Sequence, residues 1–248
     1  MIPTTKLKKL RAFHGDAQLK KDLLSEIVKH QKQDQIIKGT YGVEDEGEKF
    51  KACAVGCSIH SLNISKGKTL DTDNHSAYES EFGIPESLAH LEDFLFENMP
   101  NDKAQKWVAE FIRAIPVGAD LSLVAPRFIA STLRDLLKIK EVKADKDVAK
   151  SVLDIAILWE KIVAGEVVEK TVWSAALSAA KSAARSAACS AARSAARSAA
   201  LSAALSAAKS AAWFAALSAD RSAARSAASY KMSRRLLKIM RSTKNLDI

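Results

Sequence analysis

Residues 173–200 read WSAALSAAKSAARSAACSAARSAARSAA, and the four-residue unit x-Ser-Ala-Ala continues from there to Ser229. The unit occurs fourteen times, and two of its copies are imperfect. Alanine is the best helix former, and neither glycine nor proline follows Gly165. The stretch therefore predicts one continuous helix of roughly 55–60 residues, on the order of 85 Å long at about 1.5 Å per residue.

The variable position of the repeat gives this predicted helix two chemically different sides, because each step of four residues advances it by about 40° around the axis. Large apolar residues gather on one side as a packing stripe: Trp173, Leu177, Leu201, Leu205, Trp213 and Leu217. Most cations lie on the other side as a basic face: Lys181, Arg185, Arg193, Arg197, Arg221 and Arg225. The stripe predicts self-association or intramolecular packing, since a helix of this length needs burial to be fixed in place. The alternative is a solvated single helix.

The net charge of +9 is concentrated in the same part of the chain. Residues 1–165 carry 24 Lys and Arg against 25 Asp and Glu, whereas residues 166–248 carry 14 against four. Such asymmetry permits an acidic partner, and nucleic acid is the obvious one. However, no aromatic residues interleave with the cations, and no zinc-finger or helix-turn-helix motif is present. Nucleic-acid binding through the basic face therefore remains an alternative that we do not favour.

The residues before the repeat predict a compact helical domain over 1–165, followed by the repeat helix and a basic tail over 166–248. Apolar spacing predicts helices over 17–37, from Pro85 to near Met99, over 101–116, over 120–139 and from Asp145 to Gly165. Turn-forming glycines predict mostly loop over 39–75, with one short element at 53–61. No period-two alternation is visible, so the expected fold class is all-α.

Cysteine content and hydropathy point to a cytoplasmic protein. The three cysteines are an odd number, and the N-terminal residues show no apolar signal segment. We therefore expect no disulfide framework. Lys181 and Arg185 are among the charges that interrupt the alanine-rich stretch, so no membrane span is expected.

The most suggestive chemistry lies in Cys53-Ala-Val-Gly-Cys57-Ser-Ile-His60. On a helix, the two cysteines and His60 would share one face. Together with His75 they offer the thiolate and imidazole ligands that suit zinc, which is the cofactor this set favours. The spacing is weakly specific for zinc, however, and the interpretation that we favour is that Cys53 and Cys57 are small buried hydrophobic residues.

Three functions follow from these features, and the residues do not identify a catalytic group. The favoured one is a non-enzymatic binding or assembly protein, with His60, His75 and Glu79 as a candidate ligand site. A metal-dependent hydrolase built on the cysteines, the two histidines and nearby acids is the second. The acids between residues 79 and 97 have the spacing of a solvated helix face, which weakens that function. Nucleic-acid binding is the third.

Several motifs together resemble an uncharacterised family found in bacteriophage genomes and, as prophage genes, in bacterial genomes. They are Cys53-Ala-Val-Gly-Cys57 with His60, His75 ahead of Tyr78-Glu79, Gly83-Ile-Pro85, Leu91-Glu92-Asp93, Ile115-Pro116-Val-Gly118-Ala-Asp120-Leu-Ser122, and the Ser-Ala-Ala tail. The resemblance runs from about residue 38 to the end of the sequence. It implies a phage-linked protein of the host cytoplasm and carries no assigned activity.

Overall fold

The computed structural model describes residues 7–33, 35–43, 50–186 and 221–244. Over these ranges the regular structure is helical, and the β-pairing consists of isolated bridges without a strand, which confirms the all-α expectation. The α-helices are α1 (Ala17–Lys32), α2 (Ala54–Lys66), α3 (Ala77–Phe82), α4 (Glu86–Asn98), α5 (Asn101–Ala114), α6 (Val124–Leu136), α7 (Lys140–Ala144), α8 (Lys146–Val163), α9 (Lys170–Ser186) and α10 (Arg221–Arg241).

The chain divides into two compact units. One, here called the tail unit, comprises Met1–Lys8 and Ser122–Met232; the other, the site unit, comprises Lys9–Leu121 and Ser233–Ile248. The expected organisation, with a helical domain over 1–165 and the repeat helix and tail over 166–248, stays a prediction. Within the tail unit, Trp159 of α8 packs edge-to-face on Trp173 of α9 with ring centroids 5.2 Å apart.

The tail unit is built around α8, which packs against α6, α7 and α9. Asp145 accepts hydrogen bonds from the backbone N–H groups of Asp147 and Val148, so it is the N-cap that the sequence predicts. The helix ends at Val163, just before Gly165, also as expected. Arg134 of α6 holds Glu160 of α8 through two hydrogen bonds of 2.7 Å each.

The repeat is helical where the structure describes it, in α9 and at the start of α10. Of the packing stripe, Trp173 is buried and Leu177 is half-buried. The remaining stripe residues and two of the basic face lie outside the described residues: Leu201, Leu205, Trp213, Leu217, Arg193 and Arg197. The predicted continuity of the helix between α9 and α10 also lies outside them.

The site unit places α4 in contact with α2, α3 and α5, while α1 packs against α2 and α5. Fully buried side chains fill the space between them, among them Phe13, Ile27, Ile59, Tyr78, Phe82, Leu88, Phe96, Trp107 and Phe111. The expected first helix is too long, since α1 ends at Lys32. Beyond it Ile36 is buried in an extended segment, where Ile37 N–H donates to the Ala52 carbonyl at 2.9 Å.

Within residues 39–75, the short element expected at 53–61 is the helix α2, which continues to Lys66 and is therefore longer than expected. A tertiary contact, and not an apolar stripe, fixes this helix. A Cβ atom built on Gly56 would lie 2.1 Å from the backbone oxygen of Tyr41. The absence of a side chain at Gly56 lets α2 rest directly on the segment that carries Tyr41.

Candidate metal centre

Two helices bring three potential metal ligands together. Cys53 is the N-cap residue of α2, and Asp93 and Glu97 lie four residues apart on α4, so the two carboxylates share one side of that helix. The thiol sulfur and one oxygen of each carboxylate all lie within 4.8 Å of one another. Within the described residues, this is the group of three that has the spacing of a metal site. Cys53 is buried, and both acids are half-buried.

His75 lies beside this group, just before α3, with its tautomer fixed by the backbone. Its Nδ1 is 2.8 Å from the carbonyl oxygen of Asp73, and because a carbonyl only accepts, Nδ1 carries the proton. In the neutral ring, Nε2 then presents a lone pair, and it faces Asp93 Oδ2 at 3.5 Å. His75 Nε2 and Asp93 Oδ1 are both buried without a hydrogen-bond partner. With a neutral ring, Nε2 and the facing Oδ2 are both acceptors, so a cation or a proton between these two atoms is favoured.

The segment before α2 supports both carboxylates from outside. The Tyr41 hydroxyl donates to Asp93 Oδ2 at 2.9 Å, and its ring packs edge-on against the His75 ring with centroids 5.6 Å apart. The backbone N–H of Gly39 donates to both oxygens of Glu97, at 3.0 and 3.1 Å. Partners of this kind hold ligating side chains in position around a metal ion.

The protonation of the cluster depends on burial and on the Asp93 charge. Burial, with the Asp93 carboxylate beside it, raises the pKa of the Cys53 thiol far above its ordinary value. Burial raises the pKa of Glu97 as well. Burial acts the same way on Asp93, but the contacts with His75 and Tyr41 outweigh it and lower the pKa. Without a cation the Cys53 thiol is therefore neutral and is not an activated nucleophile.

Burial and polar contacts also have opposite effects on the pKa of His75. Burial lowers its pKa, but the contact with Asp93 and the bond to the Asp73 carbonyl raise it more, so the net pKa is above the ordinary value. Its neighbour His90 stacks on it with ring centroids 4.0 Å apart and an interplanar angle of 15°. A positive charge, whether from a proton or from a metal ion, is thus stabilised at this position.

Cys57 and His60, the other two predicted ligands, make different contacts. Cys57 is fully buried and its thiol donates to the Ala52 carbonyl at 3.4 Å; burial raises its pKa to about 12. His60 stacks on Phe50 with centroids 3.7 Å apart, and its Nδ1 is 3.5 Å from His30 Nε2. The structure thus brings Cys53 and His75 to Asp93, while Cys57 and His60 contact other groups.

The three residues of the candidate ligand site, His60, His75 and Glu79, also contact different groups. Glu79 Oε1 accepts a 3.4 Å hydrogen bond from the Glu86 backbone at the start of α4, whereas His60 lies against Phe50. The sequence interpretation counted Asp93 and Glu97 among the acids that a metal-dependent hydrolase could use, but it favoured a solvated helix face and did not select them as ligands. Their four-residue spacing was visible, but nothing in the sequence showed that α2 covers this side of α4.

Glu92, next to Asp93, corrects the expectation of a solvated acidic helix face. Its side chain is fully buried, and the Tyr78 hydroxyl donates to its Oε2 at 2.8 Å. Burial, with the Asp93 charge adding to it, raises the pKa of Glu92 to about 8 despite the Tyr78 hydrogen bond. Burial therefore favours the protonated, uncharged form of Glu92 beside the metal centre.

Comparison with protein-family models, with curated proteins and with solved structures finds no match to this chain. Among the helices that the structure describes, none combines the length and apolar character needed to cross a bilayer.

Proposed function

We propose that the protein is a divalent-metal-binding protein whose ion is held in the site unit by Cys53, Asp93 and Glu97. The observation that carries the proposal is His75 Nε2, a buried atom without a hydrogen-bond partner that lies 3.5 Å from Asp93 Oδ2 beside those ligands. The other oxygen of the same carboxylate, Asp93 Oδ1, is also buried and unpartnered. Buried polar atoms normally have hydrogen-bond partners, and an unpartnered group in a native structure calls for an explanation. A cation bound between His75 and Asp93 supplies that explanation.

The neighbouring ligands favour a metal ion over a proton. A proton on His75 Nε2 would satisfy His75 and Asp93, but it would leave the Cys53 thiol and the Glu97 carboxylate with raised pKa values in the same place. A divalent ion favours the thiolate and both carboxylates at once, because the charged forms of all three are the ligands. The charge of the ion thus accounts for the whole cluster.

The geometry also favours binding over thiol catalysis. A nucleophilic cysteine needs a lowered pKa, whereas burial keeps both Cys53 and Cys57 protonated. The proposal therefore belongs to the non-enzymatic binding class that the sequence favours. The assembly role of the repeat helix stays a prediction.

Calorimetric titration of the full chain tests the proposal. The protein is first stripped with a chelator and dialysed, and zinc chloride is then added. We expect one ion per chain, loss of that binding in Cys53→Ala and in Asp93→Asn, and retention in Cys57→Ala, the matched cysteine control. Far-UV circular dichroism of each metal-free variant establishes that it is folded. Unchanged zinc binding in both Cys53→Ala and Asp93→Asn, or no binding by the parent chain, would contradict the proposal.

A further inference from the structure

We infer that His75 Nε2 supplies a fourth bond and that the ion is zinc, held in a closed site that ties the segment before α3 to α2 and α4. This inference rests on the proposed function and specifies the metal and its role. It concerns a residue that does not belong to the three-ligand group itself, so it is testable separately.

The separation between His75 and Asp93 fits two ligands of one ion. In a tetrahedral zinc site, bonds to nitrogen and oxygen of roughly 2.0–2.2 Å place the two ligand atoms about 3.4 Å apart. The observed distance from His75 Nε2 to Asp93 Oδ2 is 3.5 Å. The sulfur and the two carboxylate oxygens of the three-ligand group lie within 4.8 Å of one another, a distance over which the side chains could draw together around the ion.

The surroundings of His75 match those of a metal-binding histidine. Such histidines donate the other ring N–H to a carboxylate or to a backbone carbonyl, which fixes the ring and its tautomer. His75 does this through Nδ1 and the Asp73 carbonyl at 2.8 Å. Its side chain is only 10% exposed, and Nε2, which lies 3.5 Å from Asp93 Oδ2, makes no hydrogen bond. The stacked ring of His90 holds the imidazole plane from one side.

The donor set identifies the class of metal. Magnesium and calcium take oxygen ligands, whereas thiolate and imidazole together favour zinc and other late transition metals. One sulfur, one nitrogen and two carboxylate oxygens complete a four-coordinate shell without water. A site closed in this way stabilises the fold and offers no position for a substrate or an activated water molecule, which argues against the hydrolase alternative.

Cobalt(II) substitution provides the test, because its visible spectrum reports coordination number and thiolate ligation. We expect the parent chain to give the intense bands of a tetrahedral site with a sulfur ligand. His75→Gln is expected to lose those bands and to bind zinc more weakly by over 100-fold, a larger loss than the roughly 10–100-fold typical of removing an outer-shell partner. His60→Gln, the matched histidine control, is expected to keep both the spectrum and the affinity.

Two results would overturn the inference while leaving the proposed function intact. One is an unchanged cobalt spectrum and zinc affinity in His75→Gln, which would show that Nε2 is not a ligand. The other is a shift in the parent cobalt spectrum on adding azide, which would show an open coordination position. Failure of the parent chain to bind either metal would overturn both proposals. Melting curves of metal-free His75→Gln and the parent chain separate a folding defect from loss of a ligand.

Discussion

A single backbone carbonyl determines what His75 can do. Because Asp73 accepts from Nδ1, the neutral ring must turn a lone pair toward Asp93. Cys53 and His75 could be selected from the sequence, since thiols and imidazoles are uncommon and chemically distinctive. Asp93 could not, because an acid on a helix is most often solvated, and its burial depends on what packs above it.

Tyr41 provides a test of how a single side chain holds the ligand Asp93 in position. Tyr41→Phe removes the 2.9 Å hydrogen bond to Asp93 Oδ2 but keeps the ring that packs against His75. We expect zinc affinity to fall by about 10–100-fold, the usual cost of removing an outer-shell partner. Tyr230→Phe, in the tail unit, is the control and should bind zinc as the parent chain does. Equal affinities for the two variants would show that Tyr41 does not position Asp93.

Glu92 provides a second test of a single residue, through the pH dependence of the unfolding free energy. The folded state keeps its proton up to about pH 8, whereas an unfolded chain releases it near the ordinary value of 4.5. Between these values the folded state binds more protons, so this group makes stability fall as pH rises, by at most about 1.4 kcal/mol per pH unit.

In Glu92→Gln that contribution is absent, and we expect a flatter profile of unfolding free energy across the same window. The measurement is urea unfolding of metal-free protein at several pH values between 5 and 8, a range set by the two pKa values. A parent profile that rises with pH in parallel with the variant would contradict the assignment of a protonated, buried Glu92.

Among the helices, a boundary set by a local signal could be predicted from the sequence, whereas one set by a tertiary contact could not. The start of α8 could be located because Asp145 caps it through its own side chain, which is a local event. The extent of α2 could not, since this helix has little apolar periodicity and is buried on nearly all sides over its first two turns. The position of α2 depends on the close approach between Gly56 and Tyr41, and Tyr41 lies outside the helix.

Gly56 therefore gives a test of how α2 is held. Glycine to alanine within a helix normally stabilises by about 0.5–1 kcal/mol. Here the new Cβ would lie 2.1 Å from the Tyr41 backbone oxygen, so we expect Gly56→Ala to lower the unfolding free energy by roughly 1–3 kcal/mol, as overpacking does. Ser65→Ala, at the exposed end of α2, is the control and should change it by less than about 0.5 kcal/mol. Stabilisation by Gly56→Ala would contradict the close packing.

At the scale of the whole molecule, the sequence predicts a two-part chain with an acidic-to-neutral first part and a strongly basic end. The structure also has two units, but it assigns α6–α9 to the tail unit and residues 233–248 to the site unit. Sequence composition marks where the repeat begins, whereas the unit boundary follows from contacts such as that between Trp159 and Trp173. No composition signal reports such a contact.

The central claim is that the native chain holds one zinc ion in the site unit, and native mass spectrometry measures this most directly. After zinc loading and removal of unbound metal, we predict that the folded parent chain carries one zinc and has released protons, whereas the Cys53→Ala, Asp93→Asn double variant carries none. Detection of the folded parent chain without zinc under these conditions would contradict the claim. Detection of as much zinc on the double variant as on the parent chain would contradict it as well.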